Sequence, residues 1–387
     1  MNHIYLSPHF PPNYHLFCTH LRRLGVNVLG IADEPSNQLG PEIREALTEY
    51  YRVDDMHSYD QLVRACGYFT HRYGKLNRVD SHTEYWMETE ARLRTDFNIF
   101  GPKIADLATV QRKSLMKQKF DQAGVPAARG TLVRALDQAK LFAHEVGYPL
   151  VAKPDIGVGA ANTFKVCSDE ELERFFRSKS PVEYLLEEFI EGTICTFDGL
   201  TDKDGDPVFF TSMTYSHGVM ETVNEDRHIY FYNLREIPTD LEEAGRRLLK
   251  VFDVCERFFH FEFFRTHGDG RLIALEVNMR PPGGPIVDMF NYAHDIDLYW
   301  EWANVVVNNR FSEPYTRKYH VCYVGRKHNK PYVHTDEAIM AAFGHCIIHR
   351  MALPSVFSLA MGDYAYMVRT PDLSEMLAAA EFIHQMN

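Results

Sequence analysis

Several things are missing from this 387-residue chain, and each absence closes a class of function. Basic charge is scarce: 41 Lys and Arg against 53 Asp and Glu leave a formal net charge of −12. A general nucleic-acid surface is therefore not expected, because phosphate contacts need basic patches. A local basic site for a nucleotide stays open. The seven cysteines (Cys18, Cys66, Cys167, Cys195, Cys255, Cys322, Cys346) are scattered, odd in number and without a CxxC, which leaves neither a disulfide framework nor a zinc site. The 19 histidines include no HExxH, and His345 and His349 fall in a strand-like run where helical i, i+4 geometry is lost. No apolar run reaches 18 residues, and the opening MNHIYLSPHF has neither a basic n-region nor an apolar h-region. A cytoplasmic protein with no membrane partner is expected. Repeats, low-complexity segments and charge runs are also absent. The first strand-to-helix turn, SPHFPPN, contains no glycine, so the dinucleotide fingerprint G-x-G-x-x-G is missing.

What is present describes an ordinary globular chain, 45% hydrophobic and 24% charged, long enough for two or three domains. Residues 3–6, 14–24 and 26–31 read as strand, helix and strand, the opening of a parallel sheet. A helix over 110–123 is predicted, with Thr109 as its N-cap and Gly124 in the helix stop Gly-Val-Pro. It carries Lys113 and Lys117 on one face. The apolar strand YPLVAK ends at Lys153, and the turn PDIGVGAA follows with Gly157 and Gly159. Glycines after a strand let backbone N–H groups approach phosphate oxygens, and a lysine adds a point charge. The strand 184–188 turns polar at Glu187 and Glu188 before Phe189 and Ile190. Residues 207–214 read as a strand, 215–228 as a polar loop, and 298–308 as a core helix. The tail from residue 319 reads as strand, helix, strand, strand and helix.

The most informative stretch is FFHFEFFRTHGDGRLIALEVNMRPPGG, residues 258–284. Two alternating runs flank a polar turn, which is a hairpin pattern. If the loop is symmetric about Asp269, Glu262 lies opposite Glu276. Parity then sets His260, Glu262, Glu276 and Asn278 on one face, and Phe261, Phe263, Ile273, Leu275 and Val277 on the buried one. Paired carboxylates with Cβ atoms roughly 5 Å apart repel. Either they share a proton or a cation lies between them. Two carboxylates and an amide oxygen make an all-oxygen set suited to Mg²⁺.

In order along the chain, these features resemble the ATP-grasp superfamily, in its branch of carboxylate–amine ligases near the L-amino acid ligases and biotin carboxylases. The resemblance rests on Lys113 eleven residues before the helix stop and Lys153 before the Gly-rich turn. It rests further on the hinge EEFIEG, on Glu262, and on E-x-N-x-R at Glu276, Asn278 and Arg280. It implies an α/β and α+β architecture, an ATP-grasp fold with an N-terminal parallel-sheet, Rossmann-like domain and a C-terminal α+β cap. The corresponding segments are 1–108, 109–190 (the small lid subdomain), 191–310 (the large subdomain with the metal site) and 311–387. It implies that Lys113, Lys153, Gly157 and Gly159 meet ATP phosphates, and that Glu187, Glu188, Phe189 and Ile190 frame adenine. Glu262, Glu276 and Asn278 would hold Mg²⁺, with Mn²⁺ as the alternative ion, and Arg280 would be catalytic, steadying an acyl phosphate. Substrate contacts fall to Asp198, His217, Gly283 and Gly284. The implied reaction joins a small carboxylate to an amine at the expense of ATP, in a protein expected to be a homodimer. The chain departs from the family pattern in two places. Ile194 stands where a ribose-binding glutamate is usual, leaving Glu191 or Asp198 as substitutes, and the turn GVGAAN is poor in glycine. Three other readings compete. A biotin-dependent carboxylase would need a glutamate and histidine soon after Arg280, where PPGGPIVD has neither. A nucleotide-binding module without turnover is favoured by the missing ribose glutamate. A carboxylate-dyad hydrolase would require that ATP not bind.

Overall fold

The structure is a computed structural model and describes residues 1–157, 162–312 and 314–387. Its first sheet is wholly parallel: β1 (Asn2–Leu6), β2 (Asn27–Ala32), β3 (Glu49–Arg52) and β4 (Arg78–Asp80) in the order β3-β2-β1-β4. Near-continuous apolar strands such as Ile4-Tyr5-Leu6 and Val28-Leu29 suit a sheet buried on both faces. This is the predicted N-terminal layer.

A second, antiparallel sheet has the order β5-β8-β6-β7, from β5 (Gly130–Val133), β6 (Leu150–Pro154), β7 (Phe164–Val166) and β8 (Tyr184–Glu188). The third sheet has nine strands. Its path begins at the hairpin and runs β14 (Leu272–Asn278), β13 (Phe258–Thr266), β9 (Gly192–Thr201), β11 (Met213–Tyr215) and β12 (Ile229–Asn233). It continues through β15 (His320–Arg326), β17 (Tyr364–Thr370) and β16 (Ile347–Ala352), while β10 (Pro207–Thr211) pairs with β9. The tail elements therefore appear as expected, but they do not form a separate layer. β15 pairs with β12, so the C-terminal strands extend the sheet that carries the hairpin.

Three local readings need correction. The helix over 110–123 is broken: Arg112 is extended (φ −91°, ψ 115°) and a new helix spans Lys113–Gln122. Thr109 is not its cap, since its hydroxyl donates to Asp106 O instead. The stop at Gly124 is observed, with φ +62° at a position where a side chain would be strained. Residues 207–214 form two strands, β10 and β11. The loop 215–228 contains a short helix, Val219–Asn224, and leads into β12, which the polar reading missed.

The N-terminal sheet joins the rest through an aromatic cluster. Phe17, on the helix His15–Arg23, lies 4.8 Å from Tyr299, 5.1 Å from Trp302 and 5.9 Å from Phe258, measured between ring centroids. All four are almost completely buried. Glu84, beyond β4, joins the same seam through an ion pair with Arg280 just after the hairpin (2.8 Å). Among the described residues, no helix is long and apolar enough to cross a membrane.

Candidate functional site

A cavity of about 350 Å³ lies between the small sheet and the hairpin edge of the large one. Its wall includes Lys113, Lys153, Gly157, Glu187, Glu188, Phe189, Ile190, Glu262 and Glu276. Nine residues chosen from sequence, spread over 164 positions, thus meet around one space. Gly159 lies outside the described residues. Asn278, Arg280, Asp198, His217, Gly283 and Gly284 are not on this wall.

Lys113 owes its place to Asp155. The Asp155 carbonyl accepts the Lys113 N–H (2.9 Å), and its carboxylate Oδ1 accepts the Ser114 N–H (2.8 Å). Asp155, buried just after β6, thus satisfies two orphan donors of the new helix, one with its backbone carbonyl and one with its side chain, and its carboxylate faces the positive end of the helix dipole. Arg112 closes the arrangement by binding Asp155 (3.0 Å) and Glu183 (2.9 Å). Lys113 Nζ then reaches Gly157 O (2.6 Å) and Glu276 (3.0 Å). Nothing in the local sequence announced Asp155, because a cap from another strand leaves no spacing signal.

Lys153 and Lys117 both hold Glu187, each at 2.6 Å. Burial would raise the Glu187 carboxyl, but the two ammonium groups keep it below the ordinary value. Its carboxylate is accordingly a holder of lysines, and only its position on β8 borders the expected adenine space. Glu188 turns to Arg129 (2.6 Å), and the Phe189 ring carries Lys165 Nζ over its face at 3.9 Å. Apolar walls come from Val151, Ile194, Phe264 and Leu275. Ile194 does line the cavity, and of the two residues considered as ribose substitutes, Glu191 borders it whereas Asp198 does not.

The hairpin brings Glu262 opposite Glu276, but by another route than a symmetric loop. Arg265 pairs with Leu272 and Phe263 with Ala274, a register that would set Glu262 against Leu275. A bulge between Glu262 and Phe263 on the pairing ladder absorbs one residue and restores Glu262↔Glu276 and His260↔Asn278. The predicted faces change accordingly. Leu272 and Ala274, not Ile273 and Leu275, pack with Phe261, Phe263 and Val277 in the core. Leu275 turns to the cavity beside Glu276. The free edge of β14 is covered: Ala274 N–H donates to Pro126 O (2.7 Å), and Ala127 bridges to Ala274.

Burial and the neighbouring Glu262 push the Glu276 carboxyl above its ordinary value, against Lys113. Glu262 itself stays below, because the bond from His260 and the charges of Arg280 and Lys113 outweigh its burial. His260 is raised to about 10: burial opposes its charge, but carboxylates stand at both ring nitrogens. Among the described residues no group of three His, Cys, Asp or Glu side chains forms a metal cluster. The donors that fit a cation here are two carboxylates and the Asn278 amide. Their crowded negative charge, shared with Lys113, favours a hard divalent ion.

Arg280 occupies a recess next to this cavity, bordered by His82, Thr83, Met279 and Pro281. Glu84 grips its Nε (3.0 Å) and Nη2 (2.8 Å), and Nη1 donates to Pro281 O (2.9 Å). Nη2 also lies 3.5 Å from Asn278 Oδ1. Sequence reading missed Glu84, which comes from the N-terminal part 196 residues away. Gly284 adopts φ +64° and Met361 lies so close that a Cβ would meet its Cε and Sδ at 2.9 Å. Asp198 is fully buried against His260 and Thr196. His217 bonds Ser216 (3.1 Å), and burial lowers its pKa.

Comparison with known proteins agrees with this geometry. Residues 146–288 match the family described as the ATP-grasp domain. An L-arginine-specific L-amino acid ligase of Bacillus subtilis is 25% identical over 245 residues, covering 61% of this chain. The match spans 59% of that relative's length. The solved L-amino acid ligase of Bacillus licheniformis superposes with a TM-score of 0.74 at 14% identity, covering 99% of this chain and 96% of that one. The biotin carboxylase domain of the Hydrogenobacter thermophilus 2-oxoglutarate carboxylase, solved with MgADP, ADP and bicarbonate, gives 0.68 at 16% identity, covering 95% and 86%. Residues 146–288 are thus similar to an ATP-grasp domain, and the chain is built on the ATP-grasp fold.

Proposed function

We propose that this protein is an ATP-dependent carboxylate–amine ligase, and that the cavity between β6–β8 and β13–β14 is its nucleotide site. One observation carries the reading: Lys113 and Lys153 share one cavity with the juxtaposed carboxylates Glu262 and Glu276, and Lys113 already pairs with Glu276. Phosphoryl transfer is mostly positioning and charge stabilisation, so cations must surround the bridging oxygens. Lys153 and Lys113 would meet the phosphates, exchanging their present carboxylate partners for phosphate oxygens. Residues 187–190 would border adenine and Glu191 the ribose. Glu262, Glu276 and Asn278 would hold Mg²⁺, or Mn²⁺ in its place, and the ion when bound neutralises charge on the phosphates. A substrate carboxylate attacks the γ-phosphorus, giving an acyl phosphate and ADP. An amine then attacks the acyl carbon, forming an amide, and phosphate leaves. Arg280 would pair with the acyl phosphate or the tetrahedral oxyanion, giving up some of its present bonds to Glu84 and Pro281 to do so.

The curated relative is specific for L-arginine, which makes amino acids the first carboxylates to try. A homodimer is the assembly to expect by likeness to the Hydrogenobacter domain, which was solved as a dimer. Sedimentation would test it. The central experiment measures phosphate release from Mg-ATP with amino acids singly and in pairs. Release that needs a carboxylate and an amine together, and fails in Glu276→Ala, is expected. Tight ATP binding with no release from any pool would overturn the ligase reading in favour of a module that only binds nucleotide. Bicarbonate-dependent hydrolysis would replace it with a carboxylase. Unchanged turnover in Arg280→Lys would remove Arg280 from the chemistry.

A further inference from the structure

We infer that His260 is a positioning residue for the proposed cation site, holding one carboxylate oxygen of Glu262 so that only the other remains to be offered. The inference rests on the reading of Glu262 as a metal ligand. Its basis is an unbroken line of hydrogen bonds across three adjacent strands. The register sets Thr196 and Asp198 of β9 beside Glu262 and His260 of β13, and these beside Glu276 and Asn278 of β14. Six polar residues thus share one face of the large sheet.

The line starts from the backbone of β11. Met213 N–H donates to Thr196 Oγ1 (3.0 Å), which leaves the threonine proton to Asp198 Oδ2. Asp198 Oδ1 meets His260 Nδ1 at 2.5 Å, and His260 Nε2 meets Glu262 Oε1 at 3.0 Å. Thr196 and Asp198 are fully buried, and His260 is nearly so. A carboxylate taken wholly out of water is costly unless each oxygen is bonded. Among the described residues, Asp198 meets that condition through Thr196 and His260. Both ring nitrogens of His260 are in turn committed, so the imidazole can neither flip nor rotate without breaking a buried bond. Glu262 stands at the end of this line, and there it enters the cavity wall.

A histidine serving only to satisfy Asp198 would leave Glu262 free to reorient. Here the second nitrogen reaches beyond Asp198 and fixes Oε1 of Glu262. Glu262 then presents a single oxygen, Oε2, beside Glu276. Partners that orient a ligand in this way typically change metal affinity 10- to 100-fold when removed.

The test measures Mn²⁺ binding to the protein–ADP complex by electron paramagnetic resonance, alongside ADP affinity without metal and thermal melting. Wild type, Glu262→Gln, His260→Ala, His260→Gln and Asp198→Ala are compared. His260→Ala should weaken Mn²⁺ about 10- to 100-fold while metal-free ADP affinity stays within twofold. His260→Gln, whose amide N–H can still donate to Glu262, should recover part of the loss. Asp198→Ala serves as the second variant, expected to weaken Mn²⁺ in the same direction should His260→Ala fail to fold. Mn²⁺ affinity in His260→Ala within twofold of wild type, with Glu262→Gln impaired, overturns the inference and leaves the site reading intact. Glu262→Gln binding Mn²⁺ like wild type overturns the site reading and the inference with it.

Discussion

Acid should destabilise this protein through histidines that the fold keeps neutral. His82 is lodged between Phe17 (ring centroids 4.1 Å apart) and Trp302 (4.5 Å), and burial lowers its pKa to about 3. Burial likewise lowers His294 to about 4 and His384 to about 3. An unfolded histidine titrates near 6.5, so below that pH the unfolded chain binds protons the native state refuses. The stability these groups contribute is complete above about pH 6.5 and is lost as the pH falls toward 3–4. Between pH 7.5 and 5.5 each costs about 1.4 kcal/mol, and the three together about 4 kcal/mol. His260 has the opposite sign. Raised to about 10, its stabilisation is full below 6.5 and is lost as the pH rises through 10, so the same acid step returns about 1.4 kcal/mol. For these four histidines the sum is a loss near 3 kcal/mol, a large share of a normal stability of about 5–15 kcal/mol. Urea denaturation of wild type and His82→Gln at both pH values isolates one group, because all shared titrations cancel in the double difference. The variant should lose about 1.4 kcal/mol less than wild type over the step. Equal losses would refute the claim that burial holds His82 neutral.

Other perturbations probe the site's framework. Glu187→Gln leaves Lys117 and Lys153 buried around a neutral amide and should cost about 3–5 kcal/mol; a melting temperature unchanged from wild type would contradict the pairing. Asp155→Ala removes the cap that starts the Lys113 helix, at about 1–2 kcal/mol, and should weaken ATP binding measured by calorimetry. An unaffected ATP affinity would mean Lys113 is positioned without it. Phe17→Ala opens the seam between the N-terminal sheet and the rest, with an expected loss of about 3–5 kcal/mol in denaturant titration. Chelation of divalent ions should abolish ATP turnover, and added Mg²⁺ should restore it; turnover that survives chelation would exclude the cation role of Glu262 and Glu276.

Much of the fold was legible because it is periodic. The parallel opening, the hairpin, the helix Leu298–Asn308 and the tail all carry clear patterns of period 2 or 3.6, and each appears in place. Lys153 was readable because it closes an apolar strand, Leu150–Pro154. Glu84 and Asp155 were not, nor was the pairing of Lys117 with Glu187, since each acts on a partner brought near only by the fold. β12 was missed because its alternation, Ile-Tyr-Phe-Tyr-Asn, follows a polar loop that hides where the strand begins. Glu262↔Glu276 was placed correctly on an incomplete premise. A symmetric turn and a bulge give the same pairing for these two residues and different faces for Ile273 and Leu275.

That bulge sets an apolar side chain beside the acids without changing which residues oppose each other. The turn between Thr266 and Leu272 can be lengthened or replaced at the exposed tip without moving Glu276, because the acids are held by the pairs Glu262↔Glu276 and His260↔Asn278 and by β9 behind β13. Removing Leu275 would leave Phe263↔Ala274 and Glu262↔Glu276 as consecutive pairs of a regular ladder, so the acids would stay opposite each other and the cavity would lose one apolar side chain from its wall. Anyone grafting this hairpin into another scaffold can replace the tip without disturbing the paired acids, and needs the extra residue only where an apolar wall is wanted beside them.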